Sequence, residues 1–131
     1  MKGVAERVRP EAVILVDALA ARSVDRLCTT VQIADSGLVP GSGVGNHRMA
    51  LSRESLGVPV ISVGVPTVVE AATLARDLTG QVKTFDGKGT LFVTPENIDI
   101  RIRDLAKLIG YGIDLALHPE LAEEDLAALL E

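Results

Sequence analysis

Val13-Ile14-Leu15-Val16-Asp17 decides how this chain is read: an unbroken apolar run closed by a single carboxylate. A strand that greasy is expected to be buried on both faces, which puts Asp17 at a strand end. In open α/β sheets, ligands and chemistry collect at the carboxyl edge of the central strands, so position alone makes Asp17 the first functional candidate. The competing reading is structural, because an aspartate after a strand commonly caps the next helix. The residues that follow, Ala18 to Ser23, favour the functional reading. If a helix starts there, Arg22 and Ser23 lie about one turn away, and a cation that close favours the ionised carboxylate.

Outward from this run, strand and helix signals alternate. Strands are expected at 12–17, 29–34, 58–65 and 90–93, with a short helical or irregular segment over 18–27 and a glycine-rich loop from Gly37 to Asn46. Pro66-Thr67 opens a helical stretch to about Leu78, since proline is tolerated at a helix start. Residues 79–89 read as a loop. Thr94 as cap and Pro95 at the first helical position then begin a long amphipathic helix carrying Ile98, Ile102, Leu105, Ile109 and Ile113 on one face. His118-Pro119 stops it, and residues 120–131 read as a last acidic helix whose Leu126, Leu129 and Leu130 need a partner surface. Such alternation predicts a layered α/β architecture in a single domain, 1–131.

Composition narrows the function classes. The 131 residues are 47% hydrophobic, enough for one sizeable core. The net charge is −5 and the thirteen basic residues are scattered, so no basic stripe tracks a phosphate backbone and direct nucleic-acid binding is not expected. With Phe85, Phe92 and Tyr111 the only aromatic residues, base-stacking platforms cannot be built. Cys28 is the only cysteine, which rules out an internal disulfide and reads as a small buried hydrophobe in a reducing interior. No apolar stretch reaches the ~18 residues of a membrane span, and the first residues carry no signal sequence, so a soluble, unexported chain is expected.

The densest chemistry lies between Asp17 and Arg48. Asp35-Ser36-Gly37 matches the triplet of pepsin-like proteases, but those folds are almost wholly β, and the better reading is a turn in which Asp35 binds nearby amides. Gly41-Ser42-Gly43-Val44-Gly45-Asn46 fits neither the dinucleotide fingerprint nor a P-loop nor a nucleophile elbow. Its glycines instead allow close approach to another chain, with amides free to bind a carboxylate or peptide carbonyl. His47 has no second His or Cys at metal-ligand spacing, and His118 suits a helix C-terminus. Gly64-Val65-Pro66-Thr67 points amides toward the edge that holds Asp17, provided the two strands are parallel neighbours. No metal ligand set and no cofactor motif is visible.

Taken together, Asp17-Ala18-Leu19-Ala20-Ala21-Arg22-Ser23, Thr29 through Gly37, Pro40 through Asn46, Leu56 through Ile61 and Gly64 through Val69 resemble the germination proteases in order and spacing. The resemblance continues through Phe92-Val93-Thr94-Pro95-Glu96 and Ala116-Leu117-His118, so it covers nearly the whole chain. It implies an atypical aspartic endopeptidase that degrades small acid-soluble spore proteins in the germinating spore, working in the cytoplasmic spore core. It further implies a homotetramer made as a zymogen, with a layered α/β/α sandwich and mostly parallel sheet similar to the hydrogenase-maturation peptidases.

Residue by residue, the family's second catalytic aspartate falls on Asp17. Its first lies in an upstream motif of the Asn-Val-Thr-Pro-Asp-Ala-Leu-Gly type that has no counterpart in these 131 residues. The 79–89 connection is also shorter than the insertion of many relatives, and Cys28 stands where relatives usually have a polar residue. Two coupled carboxylates share a proton to activate water and protonate the leaving amine, so a lone Asp17 implies little proteolysis. On this reading Arg22 orients or tunes Asp17, and Asp35 is the one nearby substitute acid, although it belongs to the turn before the glycine loop. Ser42, Gly43 and Asn46 are then the candidates for substrate-strand or intersubunit contact. The alternative is a relative that keeps the scaffold as a non-catalytic assembly or binding module.

Overall fold

The apolar run at Val13 is the start of a longer strand than its sequence suggests. In a computed structural model of the chain, which describes residues 2–41, 49–81 and 90–120, strand β1 spans Val13–Ala21. These residues fall into two units divided after Pro95. The first unit opens with α1 (Lys2–Val8), followed by β1, a single 3-10 turn at Val24–Arg26, β2 (Gln32–Ala34), α2 (Arg53–Leu56), β3 (Val60–Glu70), α3 (Ala71–Thr79) and β4 (Phe92–Val93). The second unit contains α4 (Ile98–Leu117).

The sheet is mixed, with β3 at its centre. Its longest ladder is the parallel pairing of β1 with β3, from Val13 beside Val60 to Ala21 beside Val69. On the other edge of β3, β2 and β4 both run antiparallel. Val60, Val63, Val65 and Val69 are all buried, as expected of a central strand, while Ile61 stays exposed. β1 meets that expectation on one face only, because Leu15 is buried while Ile14 and Val16 are exposed.

Two boundaries differ from the sequence reading for the same reason. Ala18-Leu19-Ala20-Ala21 has strong intrinsic helix preference, yet it stays extended because β3 offers it a continuous ladder; pairing outweighs a few tenths of a kcal/mol per residue. Pro66 does not open a helix either. It lies inside β3 opposite Leu19, and the register slips between Leu19 and Ala20 so that Thr67 is passed over. A bulge beside a proline accommodates the missing N–H in mid-strand. The Pro66 carbonyl is satisfied by the amide of Cys28, 2.7 Å away. Helix α3 therefore begins only at Ala71 and ends at Gly80, whose φ of +68° closes it in the left-handed conformation.

The core of this unit is Leu15, Leu51 and Val60, with Val13, Leu38 and Leu56 packed against it. Leu38 and Leu51 exchange backbone hydrogen bonds of 3.0 and 2.8 Å, an antiparallel bridge that closes the base of the glycine loop. Ser62, buried in β3, holds the turn after β2 through its hydroxyl, which lies 3.2 Å from the Ala34 carbonyl and 3.3 Å from that of Gly37.

The long amphipathic helix is present, but its cap is Asn97, not Thr94. The Thr94 hydroxyl instead donates to the Thr67 carbonyl at 2.8 Å, tying the end of β4 to the bulged segment of β3. His118 ends α4 as expected. The final helix expected over 120–131 lies outside the described residues from 121 onward.

Candidate functional site

Asp17 is a mid-strand residue. Its register partner on β3 is Gly64, whose partner on β2 is Gln32, so Asp17, Gly64 and Gln32 form one row across the sheet. Alternation along β1 places Asp17 on the side of Leu15 and Leu19. Gly64 has no side chain to fill the middle of this row. Leu19 leans into the space, and a Cβ at position 64 would come within 2.5 Å of its Cδ1.

Beside this row is a cavity of about 530 Å³, lined among others by Asp17, Arg22, Gln32, Gly41 and Thr67. Asp17 is half-buried there. One carboxylate oxygen accepts a 2.9 Å hydrogen bond from the amide of Ala18, which fixes the plane of the group; among the described residues the Asp17 carboxylate makes no other hydrogen bond and no ion pair. The helix-capping reading fails, because the chain after Asp17 is strand. An open carboxylate oxygen in a cavity with the hydroxyl of Thr67 and the amide of Gln32 can hold and accept a proton from a bound water.

The structure brings Arg22 to the same cavity, but not by the expected route. Five residues of extended chain separate the Cα atoms of Asp17 and Arg22 by about 16 Å, where one helical turn would have made them neighbours. Arg22 lines this cavity and also borders a second one of about 540 Å³, with Glu70, Thr73, Arg76 and Thr90. The corner that carries it is held by α3. Arg76 reaches the Arg22 carbonyl at 3.4 Å, and Asp77 accepts the amide of Val24 at 2.9 Å while pairing with Arg76 at 3.3 Å.

Asp35 follows β2 in an exposed bend and does not line the cavity with Asp17. Ser42, Gly43 and Asn46, together with His47, lie outside the described residues; Gly41, just before them, borders the cavity. Among the described residues lining it, Asp17 is the only carboxylate, and no three His, Cys, Asp or Glu side chains converge on a cation position. Thr67 lines the cavity from the bulged stretch of β3, parallel to β1 as expected, but Gly64–Thr67 is mid-strand and not the strand end and helix start that would have aimed its amides at Asp17. Gln32 was not foreseen, and only the β2–β3 register could have revealed it. Cys28 is buried, as expected, with a left-handed φ of +56°.

Comparison with known proteins shows the family of this chain. The germination protease family matches residues 1–90. The germination protease of Caldanaerobacter subterraneus subsp. tengcongensis is 41% identical over 162 aligned positions, covering 99% of this chain and 50% of that protein. That of Clostridium perfringens is 39% identical with the same coverage. The germination protease of Bacillus subtilis is 35% identical, covering 95% of this chain and 51% of the relative. The chain thus spans about half the length of the relatives it matches.

Proposed function

Because this chain belongs to the germination protease family, we propose that it carries one half of an aspartic-type endopeptidase site, with Asp17 as its carboxylate. The observation that supports this most is the row Asp17, Gly64, Gln32 beside an open cavity that Asp17 and Gln32 line: a carboxylate oxygen with no protein partner among the described residues. The substrates are small acid-soluble spore proteins, cut in the spore core during germination. The complete enzyme is a tetramer activated from a zymogen, and its fold is the layered α/β/α sandwich of the hydrogenase-maturation peptidases.

In this reading Asp17 removes a proton from water as the water oxygen bonds to the scissile carbonyl carbon. A second carboxylic acid donates a proton to the amide nitrogen as the C–N bond breaks. Asp17 cannot hold both roles at once. The second carboxylate comes from the part of the family fold with which this chain does not align, and without it the rate falls by about 10² to 10⁴. Arg22, about 16 Å along the strand, engages substrate away from the cleaved bond.

Cleavage of a purified small acid-soluble spore protein tests the reading. The expected outcome is slow proteolysis abolished by Asp17→Asn. The solitary carboxylate in the described cavity favours one rival, a binding or assembly module. A wild-type chain that binds the spore protein without cleaving it, and binds equally well as Asp17→Asn, would establish that rival instead.

A further inference from the structure

We propose that the second cavity, bounded by the ends of β1 and β3 and by α3, is a subsite for an acidic side chain of a bound polypeptide, with Arg22 and Arg76 as the groups that hold it. The cavity measures about 540 Å³. Donors without acceptors converge on it. Among the described residues the Arg22 guanidinium makes no hydrogen bond or ion pair, and the hydroxyls of Thr73 and Thr90 make no hydrogen bond. Arg76 commits Nε and Nη2 to Asp77 and the Arg22 carbonyl, which leaves Nη1 uncommitted among the described residues. Glu70 is the only carboxylate in the described lining, and it pairs with neither guanidinium. Two guanidinium groups against one carboxylate leave a single positive charge in excess. That excess matches one visiting carboxylate, which a guanidinium binds through two parallel N–H donors. Ala20, Ala21 and Phe92 offer an apolar wall for the methylene stem that carries it.

The position of the cavity along β1 identifies what brings the carboxylate. Ala20 and Arg22 line both cavities, and Asp17 lines the first, so β1 joins the two. An extended polypeptide rises per residue as β1 does. A chain laid along β1 with a peptide bond at Asp17 therefore presents a side chain about five residues away to Arg22. This assignment rests on the endopeptidase reading, in which Asp17 meets the cleaved bond, and adds to it the chemistry that selects the bound chain. Because Arg22 and Arg76 are exposed, the carboxylate adds modestly to affinity and more to the choice and direction of the chain.

The first test needs no proteolysis. N-acetylglutamate α-amide, whose single charge is the side-chain carboxylate, is titrated into the chain and the arginine Nε–H signals are followed by NMR. The signals of Arg22 and Arg76 are expected to shift and saturate, with no such response to the glutamine counterpart. Arg22→Gln should weaken this binding about fivefold, and Glu70→Gln, which removes the competing carboxylate at an exposed position, should tighten it about twofold. The second test measures binding of a small acid-soluble spore protein to the Asp17→Asn chain by calorimetry. Arg22→Gln is expected to lower that affinity about fivefold, an effect that disappears when one particular acidic residue of the spore protein is replaced by its amide. An unmoved Arg22 signal, an equal response to the glutamine probe, or tighter binding of inorganic phosphate than of the glutamate probe overturns the proposal. So does spore-protein binding that Arg22→Gln leaves unchanged. Failure of the endopeptidase reading alone looks different: the glutamate probe binds through Arg22 while the spore protein does not bind at all.

Discussion

Gly37 and Gly64 show how a missing side chain lets neighbouring groups pack closely, and they do so for different reasons. Gly37 combines a φ of +77° with a position where a Cβ would overlap the Leu51 carbonyl and the Ser52 backbone. Neither can swing aside. Gly37→Ala is therefore expected to cost about 3 kcal/mol or more, the left-handed penalty plus overpacking, whereas Gly57→Ala, also at φ +77° but with open space around it, costs only about 1–2 kcal/mol. Urea denaturation of the two variants checks the ranking. At Gly64 the obstacle is the flexible side chain of Leu19. Gly64→Ala should cost about 1–3 kcal/mol, and Leu19→Ala in the same chain should recover part of that loss, a coupling that a double-mutant cycle reads directly. Arg22→Gln is expected to raise KM for cleavage with kcat little changed, because five residues of extended chain separate its backbone from that of Asp17.

At the level of elements, what could be read from sequence was the interior of each segment, not its ends. The β-branched centre of β3 and the apolar stripe of α4 are strong periodic signals, and both elements formed. Ala18–Ala21 was misleading because its alanines favour helix locally, and only the presence of β3 beside it settles the matter. Pro66 was misleading for a related reason: a bulge in mid-strand leaves no mark in sequence that separates it from a helix start. The antiparallel sense of β2, and with it the arrival of Gln32 next to Gly64, depends on a long connection whose path no local pattern specifies. One short element does announce its chemistry. Ser52 precedes α2, and its hydroxyl donates to Glu54 at 2.5 Å, holding that carboxyl below its ordinary value. A group lowered on folding stabilises the fold above its unfolded value and loses that contribution as pH falls through the folded one. Ser52→Ala should therefore move the Glu54 titration upward, toward an unperturbed carboxyl, in a side-chain NMR titration.

For the molecule as a whole, the site belongs to no single element. Asp17 comes from β1, Thr67 from the bulged stretch of β3, Gln32 from β2 and Gly41 from the loop that the Leu38–Leu51 bridge closes. The thread that binds the corner of β1 to α3 is the pair of contacts from Asp77 to the Val24 amide and to Arg76. Asp77→Ala leaves that amide without its acceptor and is expected to cost about 1–2 kcal/mol, seen as a lower urea midpoint and faster exchange at Val24. Family membership was legible because several short motifs occur in the right order across nearly the whole chain, a property of the molecule and not of any one residue.

The parallel pairing of β1 with β3 also governs how the protein is made. Val13 leaves the ribosome about fifty residues before its partner Val60, an interval on the order of 2 to 10 seconds at about 5–20 residues per second. During that time this greasy strand waits for its β3 partner, and non-local parallel pairing is slow even once both strands are available. Synthesis of this chain should therefore depend on holdase chaperones that shield Val13–Val16, and slowing translation upstream of Val60 should lower its soluble yield.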